Sequence, residues 1–315
     1  MTAPTISFCA TNLETRDTLA RSLESIAEIG RAINVPFEVV VADGPSGPEV
    51  RAILDAWSAA GPGRTVVRHD RRNRGYGRRR AFEASSGEWI VPFDTSIVYG
   101  PILGQMLAHY YQCAGDRMLF SELCALHRPT VDAVGGWRDL IGGEDVDLYA
   151  PVVEKFGLIA YPIGDPGSQS RVLRSFTRQM RYAHGSRLRR LYRMFLTQRD
   201  QIIGANYRVA DLMAFNRAKP LGVRAGARLW FTGASVAAAL SPIPRRRVDS
   251  MNNYLYFRER TIESLRRRDF EALMWPGAPP PLLPLTADEM LYLSAKSAQW
   301  ALAQHEIPSY FVEKR

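Results

Sequence analysis

The sequence predicts an α/β fold: an open, mostly parallel sheet over residues 1–165, then a mainly helical, arginine-rich region over 166–315. Three observations carry that reading. Short β-branched runs alternate with segments of helical periodicity as far as about residue 163. Asn, Asp and Gly stand directly after those runs. From about Gly164 the strand pattern stops, and arginine dominates the charge.

Thr5–Ala10 reads as the first strand. Thr11-x-x-Glu14 has the form of a capping box, and Leu19, Leu23, Ile26 and Ile29 follow at helical spacing. Phe37–Val41 is a second strand. Asp43-Gly44-Pro45 is turn chemistry, and Ser46-x-x-Glu49 is a capping box for a helix through Val50, Ile53, Leu54 and Trp57. Thr65–Val67 is a third strand. A Gly-rich basic turn at Asn73–Arg80 opens a helix that ends near Gly87. Trp89–Phe93 is a fourth strand, ending at Asp94. Strands joined through helices make right-handed crossovers, and such sheets bind ligands at the carboxyl ends of their strands. The residues to read are therefore Thr11 and Asn12, Asp43, Asn73 to Arg78, and Asp94 to Ser96.

Composition narrows the class. With 315 residues, 46% hydrophobic and 23% charged, the chain can bury its own core; disorder, collagen and a coiled-coil rod are excluded. Cys9, Cys113 and Cys124 have no C-x-x-C spacing, which argues against a disulfide framework or a zinc knuckle. The formal charge is +9, and only four of the 41 basic residues are lysine. That favours anionic partners. Met1–Pro4 lead straight into the first strand without the pattern of a leader peptide. The apolar stretch between Arg228 and Arg245 is too short to span a bilayer. The expected location is cytoplasmic, with the option of peripheral attachment to the cytoplasmic face of a membrane.

Four constellations carry chemistry. A carboxylate at Asp43, after an apolar strand, can accept from a base or a ribose. Asn73-Arg74-Gly75-Tyr76-Gly77 opens a helix with arginines at 78, 79 and 80. Cations at a helix N-terminus make sense where a di-anion sits there. Asp94-Thr95-Ser96 ends a buried strand; Asp94 could bind a divalent cation, Mg²⁺ or Mn²⁺, but Ser96 is a weak ligand for one. Gly142-Gly143-Glu144-Asp145-Val146-Asp147 opens a helix to about Phe156, and one of its carboxylates is a candidate general base. Gly136 and Trp137 upstream could line an acceptor. The five histidines show no metal-ligand spacing.

Taken in order over residues 4–163, these motifs resemble the family 2 glycosyltransferases, inverting enzymes of the Rossmann-like GT-A fold. The resemblance implies a nucleotide-diphosphate sugar donor, UDP before GDP. It implies that Ala10, Thr11, Asn12 and Glu14 touch the nucleotide, with Asp43 on the base. It also places Arg78, with Asn73 and Gly75, near the nucleotide. Asp94, Thr95 and Ser96 match the D-x-D motif, with a divalent cation on Asp94. Glu144 and Asp145 match the Glu-Asp motif, with Asp145 as base. Two departures stand out: Ser96 replaces a carboxylate, and Arg79 replaces an Asn. Arginine charge near the diphosphate would then supply part of what the metal supplies. The Q-x-x-R-W signature of processive members is not matched.

Residues 171–199 hold nine arginines and no acid, with apolar residues at helical spacing. Helices are expected around 205–218, 224–240, 250–273 and 287–304. A glycan or lipid-linked acceptor, offering a hydroxyl or a phosphate at an anionic membrane surface, would suit such a region, and so would a plain helical domain with solvated arginines. Nucleic acid is not expected as a partner, because acids at the strand ends would repel it. A nucleotidyltransferase, or a degenerate relative that binds nucleotide without transfer, are the competing readings.

Overall fold

The computed structural model describes residues 5–13, 15–113, 115–161, 169–170, 186–214, 216–217, 219–248 and 252–276. Strand β1 (Ile6–Asn12) lies between β2 (Phe37–Asp43) and β4 (Trp89–Phe93), parallel to both. β3 (Arg64–Arg68) extends the sheet parallel to β2. The short strand Leu126–His127 closes the other edge, antiparallel to β4. The observed order is thus the mostly parallel sheet that the alternating pattern predicts.

The strand period of two sorts side chains between two helical layers. Ile6, Phe8 and Ala10 of β1 join Val39 and Val41 of β2 in one core, against α1 (Leu19–Ile33), α2 (Pro48–Ala59) and the helix Ile102–Cys113. Cys9, Val40, Ala42 and Ile90 face the other way, onto α3 (Arg74–Ala84) and the helix Glu144–Phe156, called α4 below. Each fully buried Phe or Leu in these layers contributes roughly 1.5–3 kcal/mol.

Neither capping box forms. β1 runs on through Thr11 and Asn12, and α1 starts only at Leu19. Its N-cap, Thr18, spends its hydroxyl on the Thr95 carbonyl, 3.1 Å away. Ser46 donates to Asp43 instead of capping α2, whose N-cap is Gly47 with Pro48 as the first helical residue. At α1 the partner is tertiary, whereas Ser46 turns back to a carboxylate three residues before it.

The C-terminal part packs on the sheet domain. Helix α5 (Arg187–Ala205) begins at Ser186, whose hydroxyl caps it by accepting from the Arg189 amide. It shares a third core with Leu140, Leu212 and helix α6 (Leu221–Ala239). The helix Asn253–Arg266 and the turn after it do not build a core of their own. Tyr256 and Phe257 join the α3–α4 layer, and Leu265, Phe270 and Leu273 join the opposite one. The helix expected over 287–304, residues 171–185 and Glu14 lie outside the described residues. Among the described residues no helix is long and apolar enough to cross a membrane.

Candidate active site

The carboxyl ends of β1, β2 and β4 are tied together from within. Asn12 Nδ2 donates to Asp43 Oδ1 at 2.9 Å, and Ser46 Oγ donates to the same oxygen at 2.6 Å. Arg68 Nη1 donates to Asp43 Oδ2 at 3.0 Å. Thr95 Oγ1 completes the chain by donating to Asn12 Oδ1 at 3.2 Å. Asn12, Asp43 and Thr95 are all buried. Their side chains therefore brace the strand ends. Ala10 is within β1, opposite Val41 and Phe93, and its methyl is in the core.

Helix α3 presents guanidinium to that edge. Asn73 caps it, its side chain accepting from the Tyr76 amide at 3.0 Å. Gly75 lets the first turn lie against the 138–140 segment, with its amide donating to the Leu140 carbonyl at 2.9 Å. The Gly77 amide goes to Asn73. These helix-terminal amides are thus already bonded, and the anion that the basic turn suggested would meet guanidiniums instead.

The arginines divide. The helix starts at Arg74, so Arg78 to Arg80 fall in its second turn, not its first. Arg79 pairs with Asp139 at 3.1 Å and Glu83 at 3.6 Å, and lies over the Tyr76 ring. Arg80 pairs with Glu83. Arg78 instead is buried and turns inward. Its Nη1 donates to the Phe93 carbonyl at 2.9 Å, its Nη2 lies 3.2 Å from Asp94 Oδ1, and its Nε lies 3.6 Å from Asp145 Oδ1. Arg74, half-exposed, reaches Glu144 at 3.1 Å and Asp94 at 3.6 Å. Sequence reasoning did not single out Arg74; its place as the first helical residue after the Asn73 cap was the available signal.

The Glu-Asp pair opens α4. Gly143 at its N-cap has φ +79°, a left-handed conformation that side chains rarely adopt, and helix α5 crosses it closely through Gln201 and Gly204. Glu144 is buried. Burial pushes its carboxyl up to about 7, while Arg74 pulls it down. Asp145 is 30% exposed and looks outward between Arg78 and Trp137, whose Nε1 lies 3.4 Å from Asp145 Oδ1. Trp137 is itself buried against Phe82, so it supports Asp145 and is not the open wall its position suggested. Asp147 has a different part. It is fully buried between Arg138 and Arg246, and Arg246 also donates to the Gly135 and Gly136 carbonyls. That network fastens the 135–138 loop to α4.

At Asp94, burial raises the pKa, but Arg78 and Arg74 outweigh it and hold the carboxyl below the ordinary value. The donor set fits a divalent cation poorly. One carboxylate oxygen already faces two guanidiniums, Ser96 adds only a hydroxyl, and no group of three His, Cys, Asp or Glu that could hold a metal occurs among the described residues.

The described residues thus form a mostly parallel α/β sheet with carboxylates and guanidiniums gathered at its strand ends, followed by a helical C-terminal region. The model of the family "Glycosyl transferase family 2" matches residues 7–112. Over those residues, about a third of the chain, the sequence is similar to that family. No curated protein matches the sequence. Similar solved structures include the mannosyltransferase PcManGT from Pyrobaculum calidifontis, in complex with GDP-Man and Mn²⁺, at 14% identity over 86% of each chain with TM-score 0.43. A second is S. aureus TarS 1-349, at 11% identity over 95% of this chain and 89% of that one, TM-score 0.46. A third is glucosyl-3-phosphoglycerate synthase from Mycobacterium tuberculosis, in complex with Mn²⁺, UDP and phosphoglyceric acid. It shares 16% identity over 50% of this chain and 68% of that one, TM-score 0.40.

Proposed function

We propose that the chain transfers a sugar from a nucleoside diphosphate donor, UDP-linked before GDP-linked, to an acceptor hydroxyl with inversion. The observation that supports this is the placement of Asp145. It is an accessible carboxylate beside a buried arginine that also holds Asp94 at the end of β4. Asp145 takes the proton of the acceptor hydroxyl. The acceptor oxygen bonds to the anomeric carbon as the bond from that carbon to the diphosphate oxygen breaks. The electron pair leaves with the nucleoside diphosphate, toward the guanidiniums of Arg74 and Arg78. Residues 1–165 are read as the unit that does this chemistry.

A thermal-shift panel of UDP, GDP, CDP, dTDP and ADP, with Mg²⁺, Mn²⁺ or EDTA, tests the donor half. A ligand bound only by the native state raises stability by mass action. One nucleoside diphosphate is expected to stabilise the protein selectively; no response to any of the five removes the donor reading.

The acceptor is read as a glycan or lipid-linked glycan at the anionic, cytoplasmic face of a membrane. Support comes from the surface of α5 and α6, where Leu188, Leu191, Tyr192, Leu221, Leu229 and Val236 are exposed among arginines. The chain is expected to float with anionic liposomes at low salt and to leave them as salt rises. Staying in the soluble fraction at low salt defeats this part.

A further inference from the structure

We propose that the guanidiniums of Arg74 and Arg78 take the place of a divalent cation at the donor diphosphate, so that nucleoside diphosphates bind without metal. The inference rests on the donor reading above and goes beyond it.

The geometry carries it. Both arginines converge on Asp94 Oδ1, at 3.6 and 3.2 Å. A divalent cation on that oxygen would stand within a few ångströms of two positive charges, and residue 96, a serine, adds no carboxylate beside Asp94. The same two arginines can do the cation's electrostatic task. Glu144 also faces Arg74 and Asp145 also faces Arg78, so the two guanidiniums meet an incoming anion by exchanging carboxylate partners for phosphate oxygens. Guanidinium bonds phosphate oxygens in pairs, as point cations do not. Arg78 also has an unspent donor: its Nε is buried, and no hydrogen-bond partner for it occurs among the described residues, with Asp145 at 3.6 Å too far to serve. Arg74 is the movable partner, half-exposed and paired with the Asp94 and Glu144 carboxylates. Arg79, the arginine that departs from the family pattern, takes no part, since Asp139 and Glu83 hold it.

The test is calorimetric titration of the full chain with each of the five nucleoside diphosphates, in EDTA and in saturating Mn²⁺ or Mg²⁺. The Kd of the one that binds is expected to agree within about threefold between the two conditions. Arg74→Gln, a half-exposed position whose substitution leaves the core intact, should weaken it about ten- to a hundredfold in both. Arg79→Gln should leave it unchanged, and the nucleoside without phosphates should bind wild type and Arg74→Gln alike. Binding that appears only with metal overturns the inference and leaves the donor reading standing. So does an Arg74→Gln variant that binds the diphosphate as wild type does. No binding in either condition removes the donor reading itself, and this inference with it.

Discussion

Asp145→Asn is expected to lower sugar transfer by about a hundred- to ten-thousandfold, the usual contribution of a positioned base, while nucleoside diphosphate binding persists. The substitution is nearly isosteric. The amide oxygen can still accept from Trp137 Nε1, and Arg78 keeps its bonds to Phe93 and Asp94. What disappears is the carboxylate proposed to take the acceptor proton. Glu144 is not a substitute. It is buried, it is engaged by Arg74, and burial raises its affinity for a proton of its own. The check pairs a transfer assay with calorimetric titration of the nucleoside diphosphate. Wild-type turnover in Asp145→Asn removes the base assignment; loss of nucleotide binding would show that Asp145 positions the donor instead.

The sheet was legible because its central strands are largely buried on both faces. Val39–Ala42 and Trp89–Phe93 are near-continuous apolar runs whose residues divide between the two cores, and such runs leave few alternatives. The start of α4 was legible for a local reason as well: three acids after two glycines mark a helix N-terminus. The capping boxes misled because a hydroxyl serves whichever acceptor folding brings near: Ser46 turns back to Asp43, and the Thr95 carbonyl reaches Thr18 from beyond β4. The arginine run misled for the same reason. A list of charges does not say which guanidinium turns inward, and the acids that take Arg79 lie at 83 and 139. Nor could the pattern place Tyr256, Phe257 and Leu265 inside the sheet domain, since helical periodicity names a buried face but not what buries it. The Arg138–Asp147–Arg246 network joins positions separated by as many as 108 residues in the sequence, and no spacing rule reaches that far.

Gly75→Ala tests the contact on which the site's geometry depends. A β-carbon at Gly75 would lie 2.1 Å from the Arg138 carbonyl oxygen and 2.8 Å from both the amide nitrogen and the carbonyl oxygen of Leu140. These are backbone atoms, so no side chain can swing aside. Two effects oppose each other. Alanine favours a helix over glycine by about 1 kcal/mol, whereas overpacking costs about 1–3 kcal/mol and more where the neighbours are fixed. The neighbours here are fixed. The Gly75 amide is bonded to the Leu140 carbonyl, Arg138 is bound to Asp147, and the Ile141 amide is bound to Asp200 at 2.8 Å. Overpacking therefore wins, and the melting temperature should fall by several degrees. Gly61→Ala, where a β-carbon meets nothing within 4 Å, should stay within about 0.5 kcal/mol of wild type. The site should suffer beyond the loss of stability. The displaced turn carries Arg74, and the displaced 138–140 segment leads into Gly143 and the Glu144–Asp145 pair. Nucleoside diphosphate affinity should fall at temperatures where the variant is still folded. A variant that melts and binds as wild type does would show that α3 and the 138–140 segment can separate without cost, and that their contact does not set the position of Arg74.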